Sequence, residues 1–484
     1  MFRLPVSHPV RSAITLFVPL CAAACQPSAA RRGATVLFAS GADLQSINPL
    51  ITLHPLARQV QRYVLLTTLA RYDSKLAPQP YLARRWEWSV AGRLLTFHLE
   101  PAVRWHDGVP TTARDVEWTL DAARDPATGY PRVSDLAAVD SVAVPDDSTL
   151  TLRFSTPQAT FPDVLTDLAI LPAHLLDTVP HSRLREAGWN AAPVGNGPFR
   201  FVAHEANRRW VFAANREFPP SLGGPPRLDR FIVVVVDEPT TKLAALTAGE
   251  LDMAGIQPAH AAFVERDPHL RVLTYPLLLT YGIVLNTRHP PFDVSTVRRA
   301  LDGALDRPEI VDGYLYGFGT PAQGPVPPDV PGYLPVAASE APVAPRADSP
   351  ARIRFELLTV GSGEAALEQM VQAQLARAGF DVVIRQLELS ALLARVYGPA
   401  HDFDAAVLGI PGDAGLGYLG PLAALAGIPA PADPHTAQRL FADSVPVAFL
   451  YHARGLQGMN RRLRGVTMDL RGELATVHDW WIPR

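Results

Sequence analysis

The residues of this chain that could do chemistry are few, and their spacing matches no catalytic or metal-binding motif. His204-Glu205 begins like a zinc-protease helix, but no second histidine follows at the required spacing. Gly361-Ser362-Gly363 surrounds a serine with glycine without the G-x-S-x-G spacing of a nucleophile turn, and reads as a flexible loop. No glycine-rich loop opens a helix to cradle phosphate. The 14 histidines are scattered, without metal-ligand spacing. Both cysteines, Cys21 and Cys25, fall in the opening segment, so the body holds no thiol nucleophile, Cys-based zinc site or disulfide framework. His106-Asp107-Gly108 reads as a tight turn, Asp capping it and Gly supplying the open backbone. One carboxylate is set differently. Asp413 lies in a loop after an apolar run, with glycines at 409, 412 and 415 that let the backbone come close to a ligand. No catalytic residue, cofactor or metal is expected.

The opening segment carries its own signal. Arg3 and Arg11 make a basic start, and residues 13–24 are apolar apart from Thr15 and Pro19, too short to span a bilayer. Ala22-Ala23-Ala24 then lead into Cys25. Residues 1–24 therefore read as an export signal. The run resembles a bacterial lipobox, with Ala22 where leucine is preferred, and this implies acylation of Cys25 and a lipid anchor on a membrane surface. The expected location is extracytoplasmic or periplasmic.

Composition fits a folded body. Hydrophobic residues make up 48% and charged residues 19%, which argues against disorder. A net charge of −3 without a basic stripe argues against a nucleic-acid partner.

Strands and helices alternate along the chain. A strand is predicted over 35–39, and Leu56, Val60, Tyr63 and Val64 fall on one helical face. Two hairpins follow, 86–99 turning at Ala91-Gly92-Arg93 and 142–154 turning at Pro145-Asp146-Asp147. Thr111-Thr112 can cap a helix beginning near Ala113. Gly195-Asn196-Gly197-Pro198 reads as a chain reversal between lobes. The β-branched run 231–236 is a buried strand leading into a helix over 240–247, and Val294, Val297, Leu301 and Leu305 mark another. After a Pro- and Ala-rich stretch at 321–350 come strand 353–358, helix 365–378, strand 382–387 and strand 403–408, a βαβ-like order that implies partly parallel sheets.

Several of these segments carry a familiar pattern. Leu76-Ala77-Pro78-Gln79-Pro80-Tyr81-Leu82-Ala83, Trp86-Glu87-Trp88, Thr96-Phe97-His98-Leu99, Arg104-Trp105-His106-Asp107-Gly108-Val109-Pro110 and Ala113-Arg114-Asp115-Val116 stand in order. Ile47-Asn48-Pro49 precedes them. Val194-Gly195-Asn196-Gly197-Pro198-Phe199, Leu246-Thr247-Ala248-Gly249-Glu250-Leu251-Asp252, Asn286-Thr287 with Pro290-Pro291-Phe292-Asp293, and Val297-Arg298-Arg299-Ala300-Leu301 follow. By their order and spacing the chain resembles family 5 of the extracytoplasmic solute-binding proteins of ABC transporters, the peptide, opine and nickel group, over about residues 35–484.

The resemblance implies an α/β periplasmic-binding-protein-like fold of class II, two lobes around a ligand cleft with an additional small domain on lobe one. Lobe one would combine 34–70, 188–285 and 450–484, the accessory domain 71–187, and lobe two 286–449. The implied function is capture of a peptide or similar small organic solute by hinge closure, then delivery to ABC permease subunits, by a protein expected to be monomeric. The alternatives are the same fold used as a sensor or chaperone, or an exported hydrolase. In peptide-binding members an Asp in the late cleft segment pairs with the ligand amine, within Gly-Trp-x-Gly-Asp. Here Gly409-Ile410-Pro411-Gly412-Asp413 stands in that place, which nominates Asp413 as anchor beside Gly412 and Ile410. Ser40, Gly41 and Ala42 match the place where lobe one offers backbone groups, and Tyr281 with Gly282 lies near a hinge. The chain departs from the pattern at Ile410, where Trp is usual, and at Leu416-Gly417-Tyr418, where Asp-Pro is usual. The loop 359–363 also lacks the Arg with which dipeptide binders grip a carboxylate.

Overall fold

A computed structural model of the chain describes residues 33–335 and 352–483, apart from 53, 90, 159, 362, 430 and 432. Residues 1–24, read above as an export signal, and Cys25 lie outside the described residues, as does 336–351 of the Pro- and Ala-rich stretch.

One long mixed sheet runs through both lobes. Its strand order is Phe380–Leu387, Ile353–Val360, Ala405–Pro411, Leu270–Leu285, Val447–Asn460, Met253–Gly255, Thr35–Ser40, Arg230–Val235, Arg209–Ala214 and Phe199–Glu205. In lobe one Thr35–Ser40 lies parallel to Arg230–Val235. In lobe two Ile353–Val360 lies parallel to both Phe380–Leu387 and Ala405–Pro411. Helix Ala366–Arg377 makes the crossover that such parallel pairing requires. Residues 405–408 are buried without alternation, as expected of a strand covered on both faces.

The two central strands join the lobes. Leu270–Leu285 and Val447–Asn460 run antiparallel, pairing Leu270 to Pro276 with Asn460 to Arg454 on the lobe-one side, and Thr280 to Val284 with His452 to Val447 in lobe two. Their register breaks between Pro276 and Thr280, at a proline that has no N–H to give the ladder. Such an irregularity bends a strand locally. Just before it, Tyr275 lies across the backbone of Gly455, its cross-strand partner, where any Cβ would collide with the ring.

The small domain is a four-stranded antiparallel sheet, ordered Ala83–Trp88, Leu94–Leu99, Thr149–Phe154 and Val139–Asp146. Alternation points Leu150, Leu152 and Phe154 inward. Helix Ala113–Arg124 starts at a Thr112–Asp115 capping box. Asp115 is buried but satisfied, accepting hydrogen bonds from Trp105 Nε1 at 3.2 Å and the Ala173 amide at 2.9 Å. The core is continuous with that of lobe one, since Leu95, Phe97 and Val116 share one apolar cluster with Phe38, Phe199, Phe231 and Trp480. Burial at roughly 1.5–3 kcal/mol per large apolar side chain makes the two a single packed body. Lobe two has separate cores on the two faces of its sheet. Gly195-Asn196-Gly197-Pro198 does not pass between the lobes as the sequence suggested. It is packed within lobe one, where a Cβ on Gly195 would run into the Leu65 carbonyl and Asn196 Oδ1 accepts from the Thr67 amide at 2.9 Å.

Candidate functional site

A cavity of about 800 Å³ opens between the lobes. Its lobe-two wall includes Leu278, Gly412, Asp413 and Tyr418, and its opposite wall includes Arg58, Arg62, Tyr72, Arg132, Asp163 and Asp167.

The lobe-two wall is built at a strand end. Ile410 points into the lobe-two core and is 7% exposed. Two residues on, the Gly412 amide donates to the Leu278 carbonyl at 2.8 Å, tying the loop to the bend in the crossing strand. The Asp413 carboxylate then accepts from the amides of Gly417 at 3.0 Å and Tyr418 at 3.1 Å, just before helix Leu419–Leu425. Such local side-chain bonds fix a turn. The Tyr418 hydroxyl donates to the Pro325 carbonyl at 2.8 Å, which also accepts from Thr280 Oγ1 at 3.3 Å. Thr280 Oγ1 in turn meets His452 Nδ1 at 2.9 Å. Burial pulls the His452 pKa down to about 4, so this link between loop and crossing strands stays neutral at physiological pH.

The opposite wall carries charge of both signs. Helix Pro55–Val60 passes into a wider π turn, Gln61–Leu65. Arg58 and Arg62, four residues apart, both donate to the carboxylate of Asp167, and Arg132 Nη1 joins them at 2.6 Å. Asp167 ends the short helix Val164–Asp167 and is nearly buried. Burial alone would raise its pKa, but the charges of Arg62, Arg58 and Arg132 outweigh that and hold it below the usual carboxylate value. One helical turn earlier, Asp163 accepts a hydrogen bond from the Tyr72 hydroxyl. Burial raises the Asp163 pKa, the Tyr72 bond opposes the rise, and the charge of Asp413 from the other lobe adds to it. The two carboxylates thus face each other electrostatically across the cavity.

Of the residues nominated from sequence, the structure brings Gly412 and Asp413 to the cavity and sets Ile410 behind them in the core. Ser40, Gly41 and Ala42 are not among its lining residues. Ser40 Oγ donates to the Ala42 carbonyl at 2.6 Å, and a Cβ on Gly41 would meet Lys242 Nζ at 3.2 Å. Tyr281 lies just past the bend but stacks on Tyr451, ring centroids 4.9 Å apart, in the core on the other face of the lobe-two sheet. The arginines, Tyr72 and the two aspartates of the opposite wall were not nominated. The i, i+4 spacing of Arg58 and Arg62, opposite the apolar face of their helix, was the available signal. Among the described residues no group of three or more His, Cys, Asp or Glu could hold a metal ion, and no helix is long and apolar enough to cross a membrane.

The model of bacterial extracellular solute-binding proteins, family 5, matches residues 77–421. The chain belongs to that family. Its members bind solutes outside the cytoplasm. A putative ABC transporter peptide-binding protein of Brucella ovis is 31% identical over 256 residues, covering 52% of this chain. The match spans 48% of that relative, about half its length. A probable di/tripeptide-binding protein of Pseudomonas aeruginosa is 28% identical over 431 residues, covering 81% of this chain and 79% of the relative. Among solved structures, the oligopeptide-binding protein AppA of Bacillus subtilis, in complex with a nonapeptide, superposes with a TM-score of 0.74 at 23% identity. That superposition covers 93% of this chain and 99% of AppA. The ABC transporter substrate-binding protein CtaP of Listeria monocytogenes gives 0.78 at 18% identity, covering 93% and 100%. The fold of this family 5 protein is therefore the α/β class II binding-protein architecture expected from the sequence, two lobes around a cleft with a small domain on lobe one.

Proposed function

We propose that this family 5 protein captures a peptide or similar small organic solute by hinge closure, releases it unchanged, and delivers it to ABC permease subunits. The observation that carries this reading is the cavity whose two walls belong to different lobes, the lobes being joined by strands that bend between Pro276 and Thr280. Closure can be driven only by contacts that are tighter in the closed state, and a ligand touching both walls supplies them. In this reading Asp413, with Gly412 beside it, binds the ligand's free amine. The carboxylate is already oriented by two backbone amides, and a desolvated ammonium–carboxylate contact is strong and directional. The moving bodies would be lobe one with the accessory domain 71–187, and lobe two. In this reading they divide at the bend between Pro276 and Thr280 and its partners Arg454 and His452, a few residues from the 285/286 and 449/450 boundaries that the resemblance implied. A lipid on Cys25 would hold the protein, as a monomer, on a membrane surface outside the cytoplasm. Small-angle scattering tests the closure. A mixed di- to pentapeptide pool should lower the radius of gyration, and mass spectrometry should recover the bound peptide intact. An unchanged radius despite bound peptide, or cleavage above a heat-killed control, would overturn the proposal.

A further inference from the structure

The opposite wall of the cavity sets Arg58, Arg62 and Arg132 beside Asp135, Asp163 and Asp167, but the arginines crowd onto one of these carboxylates, and Arg62 also donates to the Arg471 carbonyl at 3.3 Å. Three guanidiniums converge on Asp167, a single carboxylate whose side chain is only 10% exposed. Arg132 shares its charge with Asp135. Arg62 Nε is buried and has no hydrogen-bond partner among the described residues. Arg58 gives one nitrogen to Asp167 and keeps 32% of its side chain exposed, in the wall of the cavity. A guanidinium carries five donors in a rigid planar fork, so Arg58 retains donors for a second planar anion. Asp167, held ionised by these cations, is not free to leave them. The acidic pole, Asp163 with Asp413 facing it, begins one helical turn from Asp167, a rise of about 6 Å along that short helix.

Resting on the capture reading above, we propose that Arg58, backed by Arg62 and Arg132 on Asp167, forms an anion subsite that takes the terminal carboxylate of a short zwitterionic peptide, while its amine lies toward Asp413. The carboxylate grip missing from the lobe-two loop 359–363 is thereby supplied from the opposite wall. The ligand then bridges the lobes with a charge at each end, and the spacing of the poles selects compact peptides with free termini. Asp167 orients the guanidiniums in the empty protein, so the carboxylate meets a preformed cationic surface.

The test compares a pool of di- and tripeptides having free carboxyl ends with the same pool amidated at that end, by calorimetric titration. The wild-type protein should bind the free acids about 10- to 100-fold more tightly, the range expected for loss of a charged hydrogen-bonded partner. Arg58→Gln should erase most of that preference, and Arg58→Lys should restore part of it. The thermal midpoint of each variant reports whether it is folded, and the acid-versus-amide comparison needs no variant at all. Equal binding of both pools by the wild type leaves the capture reading standing and overturns the subsite. Binding of neither pool overturns the peptide form of the capture reading, and the subsite falls with it.

Discussion

Replacing Asp167 by Asn should cost the fold about 3 kcal/mol at neutral pH, and the structure shows why. Asp167 is the shared acceptor for Arg58, Arg62 and Arg132, and its side chain is 10% exposed, against 32%, 19% and 21% for the three arginines. Removing one partner of a buried pair typically costs about 3–5 kcal/mol, because the other charge is left without compensation. Water screens Arg58 in part, which places the expectation at the lower end. The pH dependence carries a definite sign. The folded-state pKa of Asp167 is lowered below its ordinary 3.8, since the three guanidiniums outweigh the opposing effect of burial. A carboxylate whose pKa falls on folding contributes stability that is present above the unfolded value and lost as pH drops through the folded one. Wild type and Asp167→Asn should therefore differ fully at pH 7, and the gap should narrow only below about pH 4. Urea unfolding of both proteins at a series of pH values measures this. A loss under about 1 kcal/mol at pH 7, the range of exposed pairs, would refute the idea that the cluster acts as a desolvated unit. So would a gap that stayed constant down to the acid limit.

Asp413→Asn should keep the fold, because the remaining amide oxygen can still accept one of the two backbone amides, yet weaken peptide binding by about 2–5 kcal/mol. Calorimetry that finds less than about 1 kcal/mol would remove Asp413 from the site. Gly455→Ala should destabilise the protein by about 1–3 kcal/mol in urea titration, since its Cβ displaces the Tyr275 ring from the crossing strands; a neutral result would mean that the ring moves freely. Cys25→Ser should move the protein from the membrane pellet to the soluble fraction in detergent-free fractionation, and continued sedimentation like the parent would count against a lipid anchor.

Much of the scaffold was legible because local pattern and final environment agree there. Helix Ala366–Arg377 and strands Ile353–Val360 and Phe380–Leu387 appear within a few residues of their expected bounds, as do both hairpins of the small domain. Periodicity failed at the two crossing strands. Leu270–Leu285 changes from partly exposed to fully buried along its length and contains Pro276 and Gly282, so neither alternation nor an apolar run of strand length stands out. Val447–Asn460 is buried over most of its length and carries Gly455 and Gly458, residues that weaken a strand signal and are required by neighbours, Tyr275 and Leu246, far away in sequence. Asp413 was nominated through the family pattern, with the glycines and the preceding strand as local marks, and its loop lies on the cavity. The arginine cluster could not, because Arg58 and Asp167 lie 109 residues apart and Asp167 ends a helix of only four residues.

The pairing of Leu270–Leu285 with Val447–Asn460 also sets an order on folding. The apolar cluster of lobe one includes Met459, at the end of the second crossing strand, and Leu463, Leu474, Val477 and Trp480, which follow that strand in sequence. Lobe two is thus spooled out as a long excursion before the first body can close around Phe38 and Phe231. Closing so long a loop must be compensated by contacts that form only afterwards, which slows folding. A chain that emerges on the far side of a membrane would expose the half-built face of lobe one throughout that wait. Any need for a holding chaperone should therefore fall on the residues around Phe38, Phe199 and Phe231, and end when Trp480 seals them.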